Sequence, residues 1–405
     1  MRVTTLLKKL LDVTRLLVTG GEFTGVGLVV DVRPRWRKAR CGQCGRQAPV
    51  YDHRKARLWR HLSLGRTRLW LRYAPRRVHC KTCGVISEGV PWAHPGSRFT
   101  ASFEELCAYL AQTTDKTSVT RLLGIDWRTV GAIVRRVVSR RLDPERLQGL
   151  RRIGIDEFSY RKRHRYLTTV VDHDRKRVVW TGEGKGGEPI ARFFADLGPA
   201  GAQRLETVTM DMAEGFIQAV RKLAPQANIV FDRFHVQKLA NEALDEVRRE
   251  QVRHLGDSDA ARAIKRSRWS LLKKPEDLTQ GQRLKLSDIE RENKPLFRAY
   301  LLKEALAEAL SRKQPGRAGR ELKRWIGWAA RSHLKPFRRL SRTIRRYLPG
   351  ILAYVKERLT NGLVEGFNGK TRMIARRAFG FHTAAALAGM IMLCCGGITL
   401  EPPLP

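Results

Sequence analysis

Apolar and polar residues change period along this chain, and the changes mark its elements. In "RLWRHLSLGRTRLWLRY" Leu58, Arg60 and Leu62, then Leu69, Leu71 and Tyr73, alternate on either side of Gly65, which predicts a β-hairpin. From Phe99 the period becomes about 3.6, and Phe103, Leu106, Cys107 and Leu110 fall on one helical face. "SVTRLLG" predicts a short second helix ending at Gly124, and Asp126 is placed to cap a third that carries Val130, Ile133, Val134 and Val137. Beyond Leu150 three strands, "RIGIDEF", "YLTTVVD" and "RVVWTGEG", follow in quick succession. A helix over 189–197, a strand "LETVTMD", a helix over 215–223 and a strand "ANIVFD" come next. Residues 234–354 read as helix throughout.

The β-β-β-α-β-α-β order is that of a ribonuclease-H-like fold. The expected architecture is a multidomain α+β chain. It comprises an N-terminal arm over 1–40, a zinc-binding ribbon over 41–96, a helix-turn-helix over 97–145 and a catalytic domain over 150–405, with a helical insertion at about 236–355. The three helices also suit a plain bundle packed on the next domain.

Charge narrows the partners. Lys plus Arg number 79 against 39 Asp plus Glu, a net +40, a field that attracts polyanions, so nucleic acid is the expected partner. Lys8 and Lys9 interrupt the first apolar stretch, which argues against a signal peptide. The uncharged run 383–400 contains Gly389, Gly396 and Gly397, and a buried final helix is expected there rather than a membrane span. Seven cysteines, an odd number, fit a reducing compartment, and the expected location is cytoplasmic.

Four of those cysteines form Cys41-x-x-Cys44 and Cys80-x-x-Cys83, each pair followed by glycine. Two such knuckles complete a tetrahedral site for structural zinc, because four thiolates leave no open position for water. His53, His61 and His79 lie nearby as alternative ligands or phosphate contacts. In the third helix of the helix-turn-helix, Arg128, Thr129, Arg135 and Arg136 are the residues expected to meet DNA, the first turn at base edges and the later arginines at phosphates.

Three apolar strands run into an acid: Ile155 into Asp156, Met210 into Asp211 and Phe231 into Asp232. Carboxylates converging at strand ends are costly to bury without a cation. Turn formation or helix capping is the plainer role for any one of them. Far along the chain, Asn361, Glu365 and Asn368 share one helical face, and Glu365 is a third candidate metal ligand. Glu157 is expected to face away from Asp156 and to pair with a basic side chain.

These residues carry a family resemblance. "GIDE", "DM" with the later "IVFDRFHV", and "NGLVEGFN" followed by Lys370 and "RRAFGF" resemble the bacterial insertion-sequence transposases of the ISL3 family over nearly the whole chain. The resemblance implies a DDE transposase that binds the terminal inverted repeats of its element, cleaves DNA and transfers the cut strands into target DNA. It also implies Mg²⁺ or Mn²⁺ held by Asp156, Asp211 and Glu365, and an assembly on double-stranded DNA of at least a dimer. Asp232 and His235 are read as supporting catalytic residues, with Asp232 the alternative second ligand. Asn361, Asn368 and Lys370 are read as DNA contacts, and Arg161, Lys162, Arg163 and Arg165 as neutralising phosphates near Asp156.

Between Arg312 and Tyr347 there are 13 Lys or Arg and one acid, Glu321, with Trp325 and Trp328 among them. Such a stretch tracks a phosphate backbone, and the two indoles either stack on a base or anchor the insertion's core. Two other readings compete: a non-enzymatic DNA-binding regulator, which leaves the acids unexplained, and a ribonuclease-H-like nuclease, which has less use for two DNA-recognition modules.

Overall fold

The two knuckles and the hairpin between them belong to different sheets. The computed structural model describes residues 3–161, 165–357, 359, 362–378 and 380–401, in two units, residues 1–142 with 398–405 and residues 143–397. The first unit contains α1 (Val3–Leu11), β1 (Leu16–Thr24), β2 (Gly27–Pro34), β3 (Val50–His53), β4 (Arg57–Leu64), β5 (Thr67–Tyr73), β6 (Arg76–Cys80) and β7 (Gly84–Ser87). Three helices follow: α2 (Ala101–Thr113), α3 (Lys116–Leu123) and α4 (Trp127–Arg141).

The hairpin about Gly65 is β4–β5, with the glycine at φ +56 where the turn needs a left-handed residue. It lies in a sheet of order β1-β2-β5-β4, not beside the knuckles, which sit on a separate sheet β3-β6-β7. Residues 1–40 therefore do not form an arm. Leu16, Leu28, Val30 and Val32 from β1 and β2 share a core with Trp59, Leu69, Leu71 and Trp92. Arg72 grips Asp31 with two hydrogen bonds of 2.6 and 2.8 Å across the parallel β2–β5 pair, where the two residues are register partners.

The helix-turn-helix forms as its caps foretell. Thr100, Asp115 and Asp126 each accept a backbone N–H at a helix start, and Gly124 closes α3 at φ +61.

The second unit opens with β8 (Arg152–Arg161), β9 (Arg165–Asp172), β10 (Arg177–Glu183), α5 (Gly187–Gln203), β11 (Thr207–Met210), α6 (Glu214–Leu223) and β12 (Asn228–Phe231). Its sheet has the order β10-β9-β8-β11-β12, antiparallel from β10 to β8 and parallel from β8 to β12. Among the described residues ten α-helices complete it. They are α7 (Arg233–Leu255), α8 (Asp259–Arg266), α9 (Arg268–Leu272), α10 (Gln280–Glu292), α11 (Lys294–Ser311), α12 (Pro315–Ala330), α13 (Lys335–Arg346), α14 (Leu348–Glu357), α15 (Gly362–Arg377) and α16 (Ala384–Cys395).

Helices α7 to α14 share one apolar core with the sheet, from Ile155, Val208 and Phe231 through Leu302 and Trp325 to Ile351. At Gly350 α14 lies so close to β12 that a Cβ would stand 2.5 Å from the Phe231 ring. The uncharged terminal run forms the 12-residue α16, and among the described residues no helix is long and apolar enough to cross a membrane.

Candidate functional site

Strand register positions the acids. Thr209 pairs with Gly154 in the parallel β8–β11 ladder, so two residues on Asp211 falls level with Asp156 and on the same face. Met210 pairs with Phe231, which brings Asp232 level with Asp211. Asp156 does not end its strand, as its place after "IGI" suggested. β8 runs on to Arg161 paired only with β9, and Asp156 sits just past the point where β11 stops flanking it.

The helix bearing Glu365 crosses at this point. A Cβ on Gly154 would stand 2.3 Å from Val364 Cγ2 and 3.0 Å from Thr209 Oγ1, so glycine is what lets α15 lie against β8. Asn368, one turn beyond Glu365, donates from Nδ2 to Asp156 Oδ2 at 2.6 Å. Asn368 is 5% exposed, so it supports Asp156 rather than meeting DNA, a role that only the fold reveals. Gly154→Ala is expected to cost roughly 1–3 kcal/mol of stability, as overpacking does. The same contact positions α15, which carries Glu365 and Asn368. A melting curve for the variant tests this, and a melting temperature equal to wild type would show that Gly154 makes no tight contact with α15.

Burial raises the Asp156 carboxyl to about 6, with a further upward push from the charge of Asp211, against the pull of the Glu157 N–H (2.7 Å) and His235. Glu157 is raised too, first by burial. It accepts the Gly186 N–H at 3.3 Å instead of pairing with a basic side chain, although Lys185 pulls it down electrostatically. Asp211 accepts the Ala213 N–H at 3.1 Å and lines an open groove of about 640 Å³ with His235, Lys238, Arg249, Arg339 and Thr343. Asp232 is buried and caps α7, accepting the Phe234 N–H at 2.8 Å. His235 Nε2 is buried with no hydrogen-bond partner among the described residues, as is Asn368 Oδ1.

The acids are not drawn together as tightly as the thiols. Among the described residues only Cys41, Cys44, Cys80 and Cys83 form a set of three or more such groups with ligand atoms all within 4.8 Å. The thiols are drawn in by their knuckles. Gly45 and Gly84 turn at φ +71 and +72, and Gln43 N–H approaches Cys41 Sγ at 3.5 Å. The N–H groups of Thr82 and Cys83 lower the Cys80 thiol to about 6. This donor set fits structural Zn²⁺ in number and kind. His61 is no ligand: it is buried against Thr100 Oγ1 at 2.8 Å, and burial lowers it to about 4.

The structure sorts the expected DNA contacts. Arg128 and Arg135 are exposed on α4, while Thr129 bonds Asp126 through both N–H and hydroxyl. Arg136 is not free for phosphate, because with Arg140 it pairs with Glu104, which is 0% exposed and also accepts Ser97 Oγ. Trp325 is not a stacking platform: it is 3% exposed, and its Nε1 donates to Leu302 O at 2.7 Å. Trp328 remains partly open. Lys370 is exposed, its ammonium 5.5 Å from the Phe367 ring centroid, and Arg165 is exposed at the start of β9. Asn361, Lys162, Arg163 and the Arg161 side chain lie outside the described residues.

Residues 153–391 match a family described as a transposase. Residues 88–138 match the helix-turn-helix domain of transposase family ISL3, and residues 37–83 the zinc-finger of the transposases of IS204, IS1001, IS1096 and IS1165. A zinc-binding fold, a helix-turn-helix and a transposase domain in this order define a DNA transposase, not a regulator. The chain is 39% identical over 409 residues to the transposase for insertion sequence element IS1557 of Mycobacterium tuberculosis, covering 94% of its own length and 91% of the relative's. It is 31% identical over 364 residues to the transposase for IS1001 of Bordetella parapertussis, covering 89% and 90%. The chain belongs to the ISL3 family of insertion-sequence transposases.

Proposed function

We propose that this transposase recognises the terminal inverted repeats of its own element through the zinc-binding and helix-turn-helix segments. It then cuts and joins DNA strands with Asp156, Asp211 and Glu365 as a DDE set on a ribonuclease-H-like domain. The observation that carries the proposal is the register placing Asp156 and Asp211 level on adjacent parallel strands, with α15 fixed against the same point by Gly154 and Asn368. The strand order, three antiparallel strands followed by two parallel ones, supports the fold assignment.

The donor set fits a hard divalent cation: three carboxylates, one of them raised by burial and by its neighbour's charge, and an amide oxygen on Asn368 without a hydrogen-bond partner among the described residues. Bound Mg²⁺ or Mn²⁺ supplies activation of the attacking oxygen and stabilisation of the leaving one. Asn368 holds the Asp156 carboxylate in one orientation, and Asp211 faces the groove through which a strand approaches. Lys238, Arg249 and Arg339 on that groove offset phosphate charge, Arg249 and Arg339 while also paired with Asp245 at 3.3 Å and Glu246 at 2.6 Å. In cleavage a water oxygen bonds to phosphorus as the bridging 3′ oxygen leaves and takes a proton. In transfer the freed 3′-hydroxyl attacks a target phosphorus and expels that strand's 3′ oxygen. Joining two ends in one complex calls for at least a dimer, working in the cytoplasm at the nucleoid.

Asp211 is the second ligand in this reading because it lines the open groove and its charge acts on Asp156, whereas Asp232 is buried and caps α7. In a cleavage assay on repeat-bearing DNA with Mg²⁺, Asp211→Asn should leave no detectable product. Asp232→Asn should lose roughly 10–100-fold, as a supporting residue does. Full activity of Asp211→Asn with loss at Asp232 would redraw the set around "FDRFH".

A further inference from the structure

The first unit contains a second basic surface outside the zinc knuckles. A cleft of about 940 Å³ separates the β4–β5 hairpin from the turn between α3 and α4, and Arg57, Arg60, Arg68, Arg98 and Arg121 border it. None of the five has an ion-pair partner among the described residues, whereas on α4 Arg136, Arg140 and Arg141 are all paired with Glu104 or Glu105. The unit thus neutralises one set of arginines and leaves the other bare.

Arg68 extends from the hairpin to the helix-turn-helix itself, its Nη2 standing 3.3 Å from where a Cβ on Gly124 would be. Arg60 is held in place beneath, stacked between Trp70 at 5.4 Å and Phe103 at 5.5 Å. Arg57 donates to Ser97 O at 2.7 Å and covers Trp59. One acid borders the cleft, Asp126, and both its oxygens are occupied by Thr129 in the α4 cap. Burial and neighbouring arginines both lower Arg57 and Arg60, Arg98 acting on the former and Arg68 on the latter. Crowded guanidinium groups with no ion-pair partner among the described residues, beside the first turn of a recognition helix, suit a polyanion running past that helix.

We propose that this cleft grips the sugar-phosphate backbone of the duplex whose major groove receives the first turn of α4, so that the β4–β5 hairpin and the helix-turn-helix form one DNA-binding surface. The inference rests on the reading that α4 recognises the element's ends. The hairpin then serves to position the duplex, with Arg128 reading sequence and the cleft fixing register along the backbone.

The test uses the full chain, a duplex carrying the terminal repeat and a shuffled duplex of equal length, with Kd measured against salt. Arg68, Arg98 and Arg121 are all exposed, so their replacement spares the core. In R68A/R98A/R121A the slope of log Kd against log salt should shrink by about 2 to 3, at ~0.9 for each phosphate no longer neutralised, with affinity falling by similar factors for both duplexes. Zinc content and melting should be unchanged, and R68K/R98K/R121K should restore most of the slope. Arg128→Ala should instead reduce the preference for the repeat while changing the slope by about 1 at most. An unchanged slope in the alanine triple variant, with Arg128→Ala still losing preference, would overturn the cleft and leave the end-recognition reading intact. If wild type showed no preference for the repeat and Arg128→Ala no effect, that reading would fail and the proposal with it.

Discussion

Asp156→Asn is expected to reduce strand cleavage by roughly 10³-fold or more, the scale on which removing a preorganised charge-stabilising group acts. The same variant should hold or raise the stability of the metal-free protein. The sign follows from burial. The folded carboxyl titrates near 6 against an ordinary value of 3.8, so the folded state binds the proton more tightly than the unfolded one. Stability is then lost as pH rises from about 4 through 6, and the full penalty, about 3 kcal/mol at ~1.4 kcal/mol per pH unit, applies at neutral pH. Asparagine carries no charge and keeps an oxygen for Asn368 Nδ2, but it gives up an acceptor for the Glu157 N–H, so only part of the penalty is relieved. A residue kept at a cost in stability is what a functional site shows. Melting at pH 7.5, end binding and cleavage measured on one preparation test the set. A variant that melts markedly lower and binds ends poorly would make Asp156 structural.

Cys80→Ser should cause the largest structural loss. Structural zinc contributes roughly 10–16 kcal/mol of apparent binding free energy in small zinc-binding peptides. The sheet β3-β6-β7 has a sparse core of its own, Ala39, Cys41, Val78 and Cys80, two of which belong to the four-thiol set. Removing one thiolate should release the metal and unfold these strands. The β1-β2-β5-β4 sheet, with its separate core around Leu69 and Trp92, should remain folded. Zinc content by mass spectrometry and hydrogen exchange strand by strand would show this. Full protection of residues 76–87 in zinc-free protein would contradict it.

Local pattern revealed local structure here. The β4–β5 hairpin, the three capped helices and the order of elements in the second unit were legible because each is written in a short periodic stretch. Long-range pairing was not. Nothing near Leu28 or Val30 says that β2 lies parallel to β5, and so the first 40 residues read as an arm. Arg136 reads as a surface base on α4 because its partner Glu104 lies on α2, where it looks like an ordinary solvent-facing acid. Trp325 and Trp328 sit three residues apart on one basic helix, and only the Leu302 carbonyl on α11 decides that the first is buried. Asp156, Asp211 and Glu365 were legible as candidates. The packing of α15 against β8 was not, because it depends on the missing side chain of Gly154 and on the amide of Asn368.

The most direct measurement is the release of 3′-hydroxyl ends from DNA carrying the element's terminal repeats by the wild-type protein, with Mg²⁺ present and with it chelated. Cleavage at the repeat boundary that requires Mg²⁺ and vanishes in Glu365→Gln, with end binding preserved, is the expected result. Cleavage that persists in the chelator, or in Glu365→Gln, would contradict a carboxylate-held metal site at β8, β11 and α15.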